Sequence, residues 1–134
     1  MINREIAITF NEKKFTVKFP NVGQMMDIES LKVALTGGKY GTFASSGVKS
    51  MYVALDMVDA ISFFSVMCPK IKNFITTEDI DIDYMMMNPD SIKPLVDLYK
   101  KRISPWYDNI ISELYGATNK ALEETESQSE GRNQ

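Results

Sequence analysis

Residues 36–50 read TGGKYGTFASSGVKS, with four glycines, two lysines and several hydroxyls ahead of a segment with helical spacing. Such a stretch could hold phosphate, because converging backbone N–H groups cradle the inner phosphates while a lysine reaches the outer one. The spacing does not fit. A phosphate loop has four residues between its glycines and then Lys and Ser or Thr directly. Here five residues separate Gly41 from Gly47, and Val48 precedes Lys49 and Ser50. The motif also follows a buried strand, whereas this stretch follows a helical pattern. Two readings are left: a docking loop for protein that presents Tyr40 and Phe43, or a plain flexible connector.

The carboxylates invite two further chemistries. Asp79, Asp81, Asp83 and Asp90 match the spacing at the start and end of a calcium loop, but Tyr84 stands where glycine makes the sharp turn and Asp90 replaces the bidentate glutamate. Solvated acids on a strand are the reading. Asp56 and Asp59 lie one turn apart on an otherwise apolar helical segment. They could work as paired acid and base, or as salt-bridge partners of a nearby Lys or Arg. The chain has no histidine, and its one cysteine, Cys68, can build neither an internal disulfide nor a Cys/His zinc site. Without a nucleophile beside a base, the salt-bridge reading is preferred. Cys68 precedes a proline at a helix end and reads as an inert thiol. No catalytic residue, cofactor, metal or small-molecule substrate is implied.

Two clusters concern partners. Lys100, Lys101 and Arg102 lie beside Trp106 and Tyr107, a mixture of basic and aromatic residues that can bind nucleic acid. The net charge of −3 points the other way, so the cluster reads as a solvated helix face with aromatics in a core or an interface. Met85, Met86 and Met87 are consecutive and cannot all face one core, and methionine suits adaptable contact surfaces.

These residues need elements to position them. A chain of 134 residues fits one domain with a real core. Ile6, Ile8 and Phe10, then Phe15, Val17 and Phe19, alternate with polar or small residues, which is the period of two half-buried strands. With Asn11–Lys14 as the turn, Phe10 pairs with Phe15, Ile8 with Val17 and Ile6 with Phe19, so all six apolar side chains share one face. Asn21 and Gln24 form a capping box for a helix carrying Met25, Ile28, Leu31 and Leu35, and Gly37 and Gly38 end it. Ser46 is placed to cap a core helix with Met51, Leu55, Val58, Ile61 and Phe64 on one face, ended by Pro69. Charges at Lys49, Asp56 and Asp59 favour a buried core helix over a membrane span.

Residues 76–83, TTEDIDID, suit a short third strand, and equally a helix start at Thr77. Leu95, Tyr99, Ile103, Trp106, Ile110 and Leu114 fall on one helical stripe. Pro105 lies within it, so a kink or break is expected, with Ser104 as a new cap. The expected fold is α+β: an N-terminal antiparallel hairpin packed against three to four helices. Residues 1–116 form the single domain and 117–134 a polar, acidic tail. The start MINREIAITF has no apolar run of signal-peptide type, which argues against secretion, and a lone cysteine fits a reducing compartment.

The hairpin with KKFTVKFP and the capped helix after it resemble the start of small tail-assembly and virion proteins of tailed bacteriophages. TTEDI followed by a helical region ending PWYDNIISELYG is similar in layout, and a composition rich in Asn, Lys, Ile and Met suits crAss-like phages of gut bacteria. The resemblance covers roughly residues 5–115 in layout and carries over no functional residue. It implies a non-enzymatic structural protein of the virion (capsid auxiliary, connector or ring, or tail component), found in the host cytoplasm during assembly. Its partners would be other phage structural proteins, in multiple copies within a symmetric assembly, with no membrane. A tail-assembly chaperone is the alternative, and a small nucleic-acid-binding module a third reading. The interface is expected to draw on Tyr40, Phe43, Met85, Met86 and Met87, apolar residues left over once the core is filled, together with the tail.

Overall fold

The computed structural model describes residues 1–75 and 84–116. The expected α+β class is what it shows. Strands β1 (Glu5–Phe10) and β2 (Lys13–Lys18) form an antiparallel hairpin. Helices α1 (Val22–Leu35), α2 (Tyr40–Ala44) and α3 (Lys49–Met67) follow. Cys68 and Pro69 end α3, and a 3-10 turn runs over Pro69–Phe74. After a second such turn at Tyr84–Met86 come α4 (Pro89–Leu98), a π-helical turn at Tyr99–Ile103, and α5 over residues 104–116. The expected third strand or helix start at Thr76–Asp83 and the tail 117–134 lie outside the described residues.

Ile8, Phe10 and Val17 on one face of the hairpin are buried, with Ile6, Phe15 and Phe19 half-buried beside them, while Ala7, Thr9, Lys14, Thr16 and Lys18 are exposed. The shared face is the expected one, but the register is not. Ile6 faces Val17, Ile8 faces Phe15 and Phe10 faces Lys13. The turn is Asn11-Glu12 alone, both at positive φ (47° and 68°), the two-residue arrangement whose twist matches that of the strands. A four-residue turn would move the pairing by two, and a shift of two leaves every side chain on its own face. Left-handed backbone at a residue with a Cβ costs about 1–2 kcal/mol. Glu12→Gly is therefore expected to stabilise the chain by about 1 kcal/mol, read as a higher midpoint in urea unfolding at constant slope.

In α1 the capping box is present: the Gln24 N–H donates to Asn21 Oδ1 at 2.8 Å and the Asn21 N–H to Gln24 Oε1 at 3.0 Å. At the other end the Gly38 N–H reaches the Val33 carbonyl and the Gly37 N–H the Ala34 carbonyl, with both glycines at positive φ. This is a Schellman motif that satisfies the last carbonyls. Ser46 does not cap α3. The helix begins three residues later at Lys49, and Ser46 Oγ accepts from the Val48 N–H instead.

α3 is the centre of the fold, packed by α1, α2, α4 and the Pro69–Phe74 turn. Leu55, Val58, Ile61 and Phe64 are buried as expected, and Ala60, Ser62 and Phe63 join them, while Met51 is only half-buried. The core gathers Ile8, Phe10 and Val17 from the hairpin, Ile28 from α1, and Ile92, Leu95, Val96 and Ile103 from the last helical stretch.

Pro105 does not break that stretch. Ser104 has helical dihedrals, and its N–H donates five residues back to the Tyr99 carbonyl. A proline offers no N–H and its ring crowds the carbonyl four residues earlier. One widened turn just before Pro105 absorbs this without ending the helix. Leu95, Ile103 and Ile110 stay fully buried through it, with Tyr99 and Trp106 half-buried, whereas Leu114 is exposed.

Candidate functional site

The glycine-rich stretch, expected as a docking loop or a flexible connector, contains a short helix. Tyr40–Ala44 forms α2, packed on α3, and Gly41 lies inside it. Tyr40 turns inward: its hydroxyl donates to Asp59 Oδ1 at 2.6 Å. Lys32 lies 3.7 Å from the same carboxylate oxygen, with its ammonium 5.7 Å from the centre of the Tyr40 ring. Burial pushes the Asp59 carboxyl up, opposed by the Tyr40 hydrogen bond and by Lys32. Burial, and then Asp59, push the Tyr40 phenol well above its ordinary range. Asp56 points elsewhere, to Lys100 at 3.1 Å. The two aspartates therefore serve different ion pairs, and the trio of Lys32, Tyr40 and Asp59 pins α1 and α2 to α3.

Tyr40→Phe removes one hydrogen bond to a charged acceptor, with an expected loss of about 1–2 kcal/mol at neutral pH. A carboxyl raised in the folded state holds its proton longer there, so stability falls as pH climbs past the unfolded value of about 4. The Tyr40 hydroxyl limits that fall by favouring the carboxylate. The difference between variant and parent should be small below about pH 4 and widen above it, as read from urea midpoints over a pH series.

Of the five residues expected at an interface, Tyr40, Phe43 and Met87 are half-buried, and Met87 packs against the core. Met85 is exposed and Met86 is 82% exposed. Asp90 is exposed in the first turn of α4, and Tyr84 is buried. Asp79, Asp81 and Asp83 lie outside the described residues. Burial pushes the Cys68 thiol up.

The basic cluster has structural work. Arg102 Nη2 donates to the Ala7 carbonyl at 3.1 Å, and Trp106 Nε1 to the Asn3 carbonyl at 2.9 Å. Asn3 Oδ1 accepts from the Glu5 N–H at 3.0 Å. Ala7 lies on β1, and its carbonyl is one that the ladder with β2 leaves pointing outward. The π turn and α5 thus lie beside the start of β1, where Arg102 covers the outward carbonyl of Ala7 and Trp106 holds Asn3. Arg4 and Glu113, 2.7 Å apart, fasten the same side.

The other edge of the hairpin is different. The Phe19 N–H donates to the Arg4 carbonyl at 2.7 Å, which sets the phase of the ladder: Lys13, Phe15, Val17 and Phe19 bond toward β1. The N–H and C=O groups of Lys14, Thr16 and Lys18 therefore point away from it, with no hydrogen-bond partner among the described residues. Beside this edge lies a groove of about 580 Å³. Phe15, Met67, Cys68 and Phe74 supply its apolar lining, with the Phe15 and Phe74 rings 5.6 Å apart. Lys13, Lys14 and Lys70 are its charges, and no carboxylate among the described residues lines it. Lys13 lies over the Phe74 ring, 5.9 Å from its centre. Asn11 Nδ2 donates to the Phe74 carbonyl and ties the hairpin turn to the far wall. A second hollow of about 310 Å³ between α3 and α4 differs in kind, because its lysines already pair: Lys93 with Asp97, and Lys100 with Asp56.

A strand edge without a partner among the described residues, an apolar trough and lysines with no described carboxylate beside them suit an extended polypeptide. Sequence reasoning found β2 but not its first two residues, and missed this site. Lys13-Lys14 read as a turn, and nothing in the order of residues brings Lys70 and Phe74 beside them. The fold and groove define a small α+β protein with an apolar, lysine-bordered groove beside one strand edge. Compared with protein-family models, curated proteins and solved structures, the chain finds no match.

Proposed function

We propose that this chain is a non-enzymatic structural protein of a tailed-phage particle, acting through contacts with other proteins of that particle. The observation that carries the protein-contact reading is the asymmetry of the hairpin. One edge is partly covered by Arg102 on Ala7, and the other has no hydrogen-bond partner among the described residues and lies beside a basic, apolar groove. An open edge is an aggregation hazard that proteins usually cover or blunt, so one kept open beside a formed groove suits a binding surface. The phage setting is supported by the layout of the hairpin, capped helix and PWYDNIISELYG region.

Quantitative mass spectrometry of purified particles tests this. The chain should be present at a fixed copy number relative to the major capsid protein and survive washing in high salt. Its absence from finished particles, with recovery on a tail protein in infected cells, would replace the reading with an assembly chaperone. Salt-sensitive retention on DNA, lost on charge reversal at Lys100–Arg102, would replace it with nucleic-acid binding.

A further inference from the structure

We infer that the outer edge of β2 receives an extended segment of a partner protein as a third strand, and that this segment alternates apolar and acidic side chains. The inference rests on the protein-contact reading above and adds to it the binding mode and the chemistry of the partner.

The backbone argument comes first. Lys14, Thr16 and Lys18 each present an outward N–H and C=O, a template for strand addition. On β1 Arg102 meets the Ala7 carbonyl and Asn3 the Glu5 N–H, so that edge is partly covered and the β2 edge is the more accessible one among the described residues.

The side-chain argument gives the pattern. A strand added beside β2 would alternate between the two faces of the sheet. On the outer face its neighbours would be Lys14, Thr16 and Lys18. Lys14 faces Thr9 across the hairpin, so no carboxylate opposes it there. Acidic residues are the complement on this face. On the inner face the added strand would lie over the groove, beside Phe15, Phe74 and Met67, where apolar residues are the complement. Lys13 and Lys70 border that trough and favour carboxylates at its ends. The lysines gather here on a chain whose net charge is −3.

A second copy fits poorly. Two β2 edges paired antiparallel about Thr16 would set each Lys14 opposite the other copy's Lys18, and like charges directly opposite one another repel.

The test uses the full chain and a fluorescein-labelled peptide of about nine residues that alternates glutamate with valine, long enough to span β2. Saturable binding is expected. It should weaken roughly tenfold when the peptide amides of one edge are N-methylated, and comparably for the Lys14→Glu, Lys70→Glu double variant. Thr16→Pro should abolish it, because this N–H points outward and its loss leaves the bonds to β1 intact. Should Thr16→Pro fail to fold, the methylated peptides still decide the matter on the parent chain.

Binding indifferent to N-methylation would overturn strand addition. Equal binding of a peptide with lysine in place of glutamate would overturn the acidic pattern. Hydrogen exchange is the companion measurement: the Lys14, Thr16 and Lys18 amides should exchange freely in the isolated chain and become protected with peptide. Protection already present in the isolated chain would mean an occupied edge and end the proposal. The two readings fail separately. A chain found in particles that does not bind the peptide refutes the edge alone, and a chain that binds the peptide but is absent from particles refutes the phage assignment alone.

Discussion

Val17→Asp should leave the chain largely unfolded at room temperature. Val17 is 0% exposed and packs with Ile8 and Phe10 in the main core, directly opposite Ile6. A carboxylate at this site would have no partner supplied by the fold, and burying a polar or charged group without one costs several kcal/mol, against a total stability of about 5–15 kcal/mol for a domain. The proton can be retained instead, at the cost of a strongly raised pKa, so the variant should recover some structure in acid. Thr16→Asp is the control. Thr16 is the next residue along and exposed on the opposite face, so its cost should stay within about 1 kcal/mol. Urea unfolding followed by circular dichroism separates the two. Equal midpoints would mean that the buried face of the hairpin has been misassigned.

Phe64→Ala should cost about 3–5 kcal/mol, the usual range for deleting a buried aromatic ring. Phe64 is 0% exposed, and its ring meets Phe63 edge-on at 5.5 Å and Tyr99 at 6.2 Å. The loss would open a cavity between α3 and the π turn, where close packing leaves little room to collapse. Val53→Ala on the same helix should be nearly silent, within about 0.5 kcal/mol, because Val53 is 46% exposed. The contrast also tests what kind of helix α3 is. By length and composition α3 could cross a bilayer. In a lipid-facing helix the two positions would differ little. In the centre of a folded domain they differ by several kcal/mol. Similar midpoints for both variants would remove α3 from the core.

What this sequence determined by itself is the local grammar of the fold. The alternation of Ile6, Ile8, Phe10, Phe15, Val17 and Phe19 specified a hairpin and its buried face, since a period of two is a property of each strand alone. Asn21 with Gln24, and Gly37 with Gly38, marked the two ends of α1, because caps are made between residues a few positions apart. The apolar face of α3 was legible for the same reason. Other features were settled by tertiary structure. The hairpin register moved by two because either turn length keeps the same face buried, so the pattern could not choose between them. A two-residue turn was selected by left-handed backbone at Asn11 and Glu12, and Asn11 is held from outside by the Phe74 carbonyl. Pro105 signalled a break, but the packing of Ile103 and Ile110 into the core favours one widened turn and a continuous helix. Tyr40 looked like surplus surface until Asp59, nineteen positions away, gave its hydroxyl a part-buried acceptor. The candidate site lay furthest from view. Each strand of the hairpin carries the same backbone groups, and only the arrival of Arg102, ninety-five residues from Ala7, covers part of one edge while the other has no partner among the described residues. A contact between residues so far apart in the chain has no local signature, because it depends on how α3 and the last helices pack around the hairpin.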